Sequence, residues 1–147
     1  MENKENIDIF EEFPIKDEAN LQLIDTKLKN DTRYRNEMIK QLSRLTRDDL
    51  KATCIGLMRA IISNELAVNY SWFGAKKKQI FSQLEICKVI LSVIRKSHID
   101  ATDEKISAPI KVWLAHAKER LGRRAENVVE NIAQNVVENV AENIAEN

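Results

Sequence analysis

The stretch from Leu84 to Lys96, LEICKVILSVIRK, constrains this chain more than any other. Leu84, Ile86, Cys87, Val89, Ile90, Leu91, Val93 and Ile94 are apolar, leaving Glu85, Lys88, Ser92, Arg95 and Lys96 as its polar positions. Those polar positions recur at spacings of three and four, so on an α-helix they share one narrow face and the rest of the surface is apolar. A helix with so little surface for water must be a central pillar with other helices packed around it. The spacing predicts that pillar over about residues 83–96. Ser82, followed three residues later by Glu85, reads as a capping box at its start, and the basic last turn suits the negative end of its dipole.

The segments on either side supply the packing partners. Asp17 reads as the cap of a helix with Leu21, Ile24 and Leu28 inward, ending near Asn30. Asp31 starts a second, with Tyr34, Met38, Ile39, Leu42 and Leu45 on one side. Thr46 and Asp49 form a shortened capping box for a third, whose stripe is Leu50, Cys54, Leu57, Met58, Ile61 and Ile62. After the pillar, Ile106, Ile110, Trp113, Leu114, Ala117 and Leu121 recur at helical spacing. Pro109 leaves two starts open for that helix, a cap at Ser107 or a turn from Thr102 that bends at the proline, and Gly122 reads as its stop. On this reading Lys111 and Lys118 point outward together. Residues 1–13 read as an acidic arm that docks through Phe13-Pro14-Ile15. From Val128 the chain repeats VVEN, IAQN, VVEN, VAEN, IAEN, a period of four that spirals its apolar pairs around a helix. Asparagine in every repeat and β-branched valines weaken the helix, so a marginal helix or a disordered tail is expected.

Charge is segregated although the 23 bases and 23 acids cancel. Residues 1–18 hold two bases against seven acids, and residues 125–147 hold five glutamates and no base. The remaining 21 bases and 11 acids give residues 19–124 a net of +10, the balance of a polyanion-binding body with acidic ends or of an ordinary basic domain. No run of apolar residues is long enough to span a bilayer, and Met1–Asn6 precedes no hydrophobic stretch. Cys54 and Cys87 fall on apolar faces without a CxxC partner, as in an intracellular protein with reduced thiols.

Catalytic signatures are missing from the sequence: there is no HExxH, GxxxxGK[ST], GxSxG or CxxC. His98 and His116 stand at no metal-ligand spacing with each other or with the cysteines, and one glycine, Gly74, cannot build a phosphate cradle. No cofactor, metal, catalytic residue or small-molecule substrate is therefore expected. The candidate binding residues are cationic. Lys76, Lys77 and Lys78, following Trp72-Phe73-Gly74-Ala75, either clamp phosphates or form a solvated loop. Lys88, Arg95 and Lys96 line the pillar's polar face, taken to lie near that loop. Lys111, Lys118, Arg120, Arg123 and Arg124 form a basic helix end that would lie along a groove, or that answers the helix dipole alone. Phe73 is open to stacking or partner contact, whereas Trp72 and Trp113 read as core.

Asn64-Glu65-Leu66-Ala67, Tyr70-Ser71-Trp72-x-Gly74 with its lysines, Phe81, the helix from Leu84 to Ile94, and Ile110-Lys111-x-Trp113-Leu114-x-x-Ala117-x-x-Arg120 together resemble the family called domain of unknown function 4806. Phe13-Pro14-Ile15 and the helices down to Leu45 resemble that family's lead-in, so the likeness covers most of residues 13–124. The family implies no established chemistry. The order of parts is similar, more weakly, to BEN domains, helical modules of chromatin proteins that bind DNA or partner proteins. Where those usually enter the long helix with leucine-aspartate, this chain has Leu84-Glu85.

The expectation is an all-α fold: a single compact domain of five to six helices over residues 14–124, with a flexible acidic arm at 1–13 and a repeat tail at 125–147. The expected function is non-enzymatic binding of nucleic acid, duplex DNA in a nuclear chromatin or transcription setting. The alternative is a protein-interaction or self-association module. No membrane association is expected.

Overall fold

The computed structural model describes residues 7–145. It is a helical protein with one minimal sheet. In chain order it has α1 (Glu18–Asn30), α2 (Thr32–Leu42), α3 (Leu50–Ile61), α4 (Asn64–Ala67), β1 (Tyr70–Ser71), β2 (Gln79–Ile80), α5 (Glu85–Ser97), α6 (Asp103–Ala115) and α7 (Ala117–Ala145). Short 3-10 turns lie at Ile9–Glu12, Ser43–Leu45, Ala75–Lys77 and Phe81–Gln83.

Local chemistry accounts for most of the helix starts. Asp17 accepts from the Asn20 amide at 2.8 Å, Asp31 from the Tyr34 amide at 3.1 Å, and Asp49 from the Ala52 amide at 2.8 Å. The Thr46 half of the expected box takes no part in α3, because its hydroxyl donates to the Ser43 carbonyl of the preceding turn. Thr102 caps α6 through the Lys105 amide, which decides between the two possible starts. Pro109 therefore lies inside α6, where it forgoes the bond to the Lys105 carbonyl.

The pillar is where the apolar spacing put it. Ile86, Cys87, Val89, Ile90, Val93 and Ile94 of α5 have no exposed surface, and the helix packs against α1, α2 and α3. At roughly 1.5–3 kcal/mol per fully buried aliphatic side chain, this one helix is a dominant source of cohesion. Helix α6 covers α3, with Ile106, Ile110, Trp113 and Leu114 buried.

The start of α5 differs from the sequence expectation. Ser82 lies in the Phe81–Gln83 turn, and the N-cap position is Leu84, which offers no side-chain acceptor. The cap comes from α1 instead. The Asp25 carboxylate accepts from the Glu85 amide at 3.1 Å and from the Ile86 amide at 2.9 Å. Two of the four orphan donors of the helix start are thus satisfied by a residue sixty positions earlier, and its charge sits at the positive end of the dipole.

The arm is tied down from Ile7 onward. Ile9 is buried and its amide donates to Gln41, whose side-chain amide in turn donates to the Ile7 carbonyl. Ile15 docks as expected: it is buried, donates to the Ile61 carbonyl at 2.7 Å, and accepts from the Ser63 amide. Residues 1–6 of the expected arm lie outside the described residues.

The chain divides after Ala117 into a body and a second unit of residues 118–147, which α7 runs through. The helix boundary near this point is not at Gly122. Gly122 lies within α7 and does not adopt the positive φ that a glycine stop requires. The break falls at His116 (φ −98°, ψ 9°), where α6 ends. Lys111 and Lys118 consequently stand on different helices and in different units.

Candidate functional site

Residues 72–78 form a compact loop between two strands that run parallel, Tyr70 opposite Gln79 and Ser71 opposite Ile80. Seven residues are very few for a parallel connection, which usually takes a dozen or more. The loop closes as an Ω-type excursion with its ends together. The Gln79 amide donates to the Asn69 carbonyl at 2.9 Å, and the Ser82 amide to the Trp72 carbonyl at 3.2 Å.

Gly74 allows the first bend. It sits at φ +85°, and a Cβ there would lie 2.8 Å from Ile80 Cγ1 and 3.2 Å from the Lys78 carbonyl oxygen. Two more left-handed residues follow, Lys76 (φ 57°) and Lys77 (φ 62°). For a side chain with a Cβ that conformation costs of order 1–3 kcal/mol and persists where the surroundings hold it. The two ends of the loop are anchored by aromatic packing. Phe81 is fully buried, with the Tyr70 ring edge-on at 6.3 Å and the Trp72 ring tilted at 6.4 Å.

Trp72 therefore plugs the edge of the core, as its place beside the glycine turn predicts. Phe73 does the opposite. It is 72% exposed and braced edge-on against Trp72 at 6.4 Å. From α6, Lys111 places its ammonium over the Phe73 ring, 5.2 Å from the centroid, and 6.0 Å from that of Trp72. Lys76 and Lys77 are exposed and Lys78 is half-buried. Among the described residues, no carboxylate pairs with Lys76, Lys77, Lys78 or Lys111. The packing thus brings Lys111 to an exposed aromatic ring, in a loop that also carries Lys76, Lys77 and Lys78.

Of the other sequence candidates in the body, Lys88 and Arg95 have carboxylate partners of their own. Lys88 is bonded to Glu85 at 2.8 Å, and Arg35 reaches the same carboxylate at 3.2 Å. The Lys88 hydrogen bond, opposed by partial burial and assisted by the charges of Lys88 and Arg35, holds the Glu85 carboxyl below its ordinary value. Arg95 pairs with Asp103 at 2.6 Å on an exposed surface. That pair adds little stability but cancels the charge. Lys96 is exposed beside it. The loop feeds the amino-terminal end of α5, so Arg95 and Lys96 lie some ten residues, about 15 Å of helix, farther on. A stripe along a helix face spreads its charges down the whole rod. Lys118, Arg120, Arg123 and Arg124 belong to the second unit.

The two buried cysteines and His98 are engaged structurally. Burial pushes the Cys54 thiol up to about 11 and the Cys87 thiol, with the Asp25 charge adding, up to about 12. Neither is a thiolate at neutral pH. His98 Nε2 lies 2.9 Å from the Arg47 carbonyl and 3.1 Å from the Thr53 hydroxyl. A carbonyl can only accept, so this nitrogen carries the proton and clasps the start of α3. Among the described residues, no group of three or more His, Cys, Asp or Glu is placed to hold a metal ion, and no helix is long and apolar enough to cross a membrane.

The sequence offers Phe73 and Lys111 separately but not their meeting, because the two residues are brought together across thirty-eight positions where α6 packs against β1. The left-handed lysines carry no sequence signal beyond Gly74 itself. The family model described as Domain of unknown function (DUF4806) matches residues 9–93, more than half of the chain, and includes the loop but neither Lys111 nor α7. No curated protein and no solved structure matches the chain.

Proposed function

The chain belongs to the DUF4806 family, and from that premise we propose that it is a non-enzymatic nucleic-acid-binding module whose contact surface is the loop of residues 72–78 with Lys111. The observation that supports this reading is an exposed aromatic ring beneath the Lys111 ammonium, in a loop with three further lysines, none of the four with a carboxylate partner among the described residues. Lysines free of acid partners can neutralise backbone phosphates, and an aromatic among them offers a face to a base. The weaker resemblance to BEN domains agrees with a nuclear chromatin or transcription setting, which belongs to the same proposal.

A salt titration of binding to a labelled oligonucleotide tests it. Log affinity should fall linearly with log salt, and replacing Lys76, Lys77 and Lys78 together by alanine should make the slope shallower by about 2 for a single strand or about 3 for a duplex. No retention of the chain on nucleic acid at low salt ends the proposal. A second reading, self-association, rests on α7, where Val128, Val129, Ile132, Val136, Val137 and Val140 are each about half exposed or more. Sedimentation velocity of the whole chain and of residues 1–124 decides it: monomers in both remove that reading.

A further inference from the structure

The loop geometry also bears on which form of nucleic acid this surface takes. Phe73 is held in a closed turn, braced by Trp72, and Lys111 already stands over its ring. An ammonium therefore stands over the ring on one side, while 72% of the residue's surface is open to solvent. A side chain that wedges between two stacked base pairs needs both faces free, because each is covered by a base. A ring with a cation on one side can take a single base on the other.

Bases inside a duplex have their faces buried by their neighbours, whereas an unpaired base has one to offer. The lysines of the loop suit the same geometry. Lys76 and Lys77 are exposed at consecutive left-handed positions, and the Lys78 carbonyl oxygen, not its ammonium, is what lies near Gly74. A strand with one base on the free face of Phe73 would have its flanking phosphates within reach of flexible lysines, without the rigid spacing that a groove imposes.

We infer that the substrate of this surface is single-stranded nucleic acid, or an unpaired stretch within a longer one, with Phe73 as the base-stacking platform and Lys76, Lys77, Lys78 and Lys111 as the phosphate contacts. This rests on the proposed nucleic-acid function and names its substrate class in place of the duplex expected from sequence. Stacking on an aromatic is tolerant of base identity, because every base has a π face, so the site discriminates strand form more than sequence.

The experiment is fluorescence anisotropy of the full 147-residue chain with a labelled sixteen-nucleotide thymine strand and with the same strand paired to its complement, at one low salt concentration. The single strand should bind at least about tenfold tighter. Phe73→Ala should weaken single-strand binding by about 5- to 150-fold, leave duplex binding within about twofold, and leave the salt slope unchanged. Phe73→Trp should restore or exceed the original affinity, while Phe73→Leu, which is apolar without a π face, should not. Circular dichroism confirms that each variant is folded, which the exposure of this side chain predicts.

Equal or tighter duplex binding, or an equal loss on both forms in Phe73→Ala, overturns the single-strand inference while the phosphate-binding reading stands. Absence of binding to either form overturns both.

Discussion

Replacing Asp25 with alanine should destabilise the body by about 2 kcal/mol, although Asp25 lies on α1 and the helix it supports begins sixty residues later. Its carboxylate receives the Glu85 and Ile86 amides at 3.1 and 2.9 Å, and Leu84 at the cap position has no acceptor to take over. Loss of an N-cap side chain costs roughly 0.5–2 kcal/mol, and loss of a negative charge at a helix start roughly 0.3–1 kcal/mol more. For a body of about 110 residues the unfolding entropy is roughly 0.23 kcal/mol/K, so 2 kcal/mol corresponds to a drop of about 9 °C in Tm. Asp25→Asn keeps one oxygen acceptor and loses the charge, and should cost about half as much.

Ser82→Ala is the decisive partner. The sequence pattern makes Ser82 the cap, yet it sits in the preceding 3-10 turn. Its replacement should stay within about 0.5 kcal/mol, as for a surface change that removes no cap. Urea unfolding followed by tryptophan fluorescence reads the body, because Trp72 and Trp113 both belong to it. The slope of free energy against urea should be the same for all variants, with the midpoint alone moving. If Ser82→Ala costs as much as Asp25→Ala, the cap assignment is wrong and the local box governs this helix start after all.

Gly74→Ala should lose about 2 kcal/mol by the same urea assay, since its Cβ meets Ile80 Cγ1 at 2.8 Å and φ is +85°. Gly56→Ala, in α3 with nothing within 4 Å of the new methyl, should gain about 0.5–1 kcal/mol. The Glu85 carboxyl is held below its ordinary 4.5, so its contribution is present above that value and lost as pH falls through the lowered one. Glu85→Gln should therefore flatten the acid limb of a stability–pH profile below about pH 4.5. Burial, helped by hydrogen bonds to Glu12 and Glu18, pushes the Tyr34 and Tyr70 hydroxyls above their ordinary 10.0. That stabilisation is complete below pH 10 and lost as pH rises through the raised values, so Tyr70→Phe should weaken the alkaline loss of stability measured by Tm.

The helices were legible because their signals are local. Leu21, Ile24 and Leu28, or Ile106, Ile110 and Trp113, lie one turn apart and are buried as their spacing predicts, and aspartates three residues ahead of the amides they cap need no tertiary information. What stayed hidden spans distance. Asp25 reaches α5 across sixty residues, and Lys111 reaches Phe73 across thirty-eight. Gly122 misled for a different reason: a glycine permits a stop without requiring one, and here the price of staying helical is about 1 kcal/mol. His116, without any breaker signal, ends α6 instead.

Charge summed along the chain gave the least reliable guide, and dividing it by the fold changes the expected binding behaviour. Residues 118–147 carry four bases against six acids, a net of −2, which leaves residues 1–117 with 19 bases against 17 acids, a net of +2. The +10 of residues 19–124 is thus an artefact of where a line was drawn. A body so nearly neutral has little long-range attraction for a polyanion, and whatever affinity it has must come from Lys76, Lys77, Lys78 and Lys111 at contact distance. Four phosphate contacts on a single strand give a slope of log affinity against log salt of about −3. Binding by the whole basic segment would give about twice that or more. A measured slope near −3, unchanged when residues 125–147 are removed, fits the local cluster. A slope steeper than about −6, or a marked gain in affinity on removing the tail, would show that the summed charge governs binding and that the loop does not.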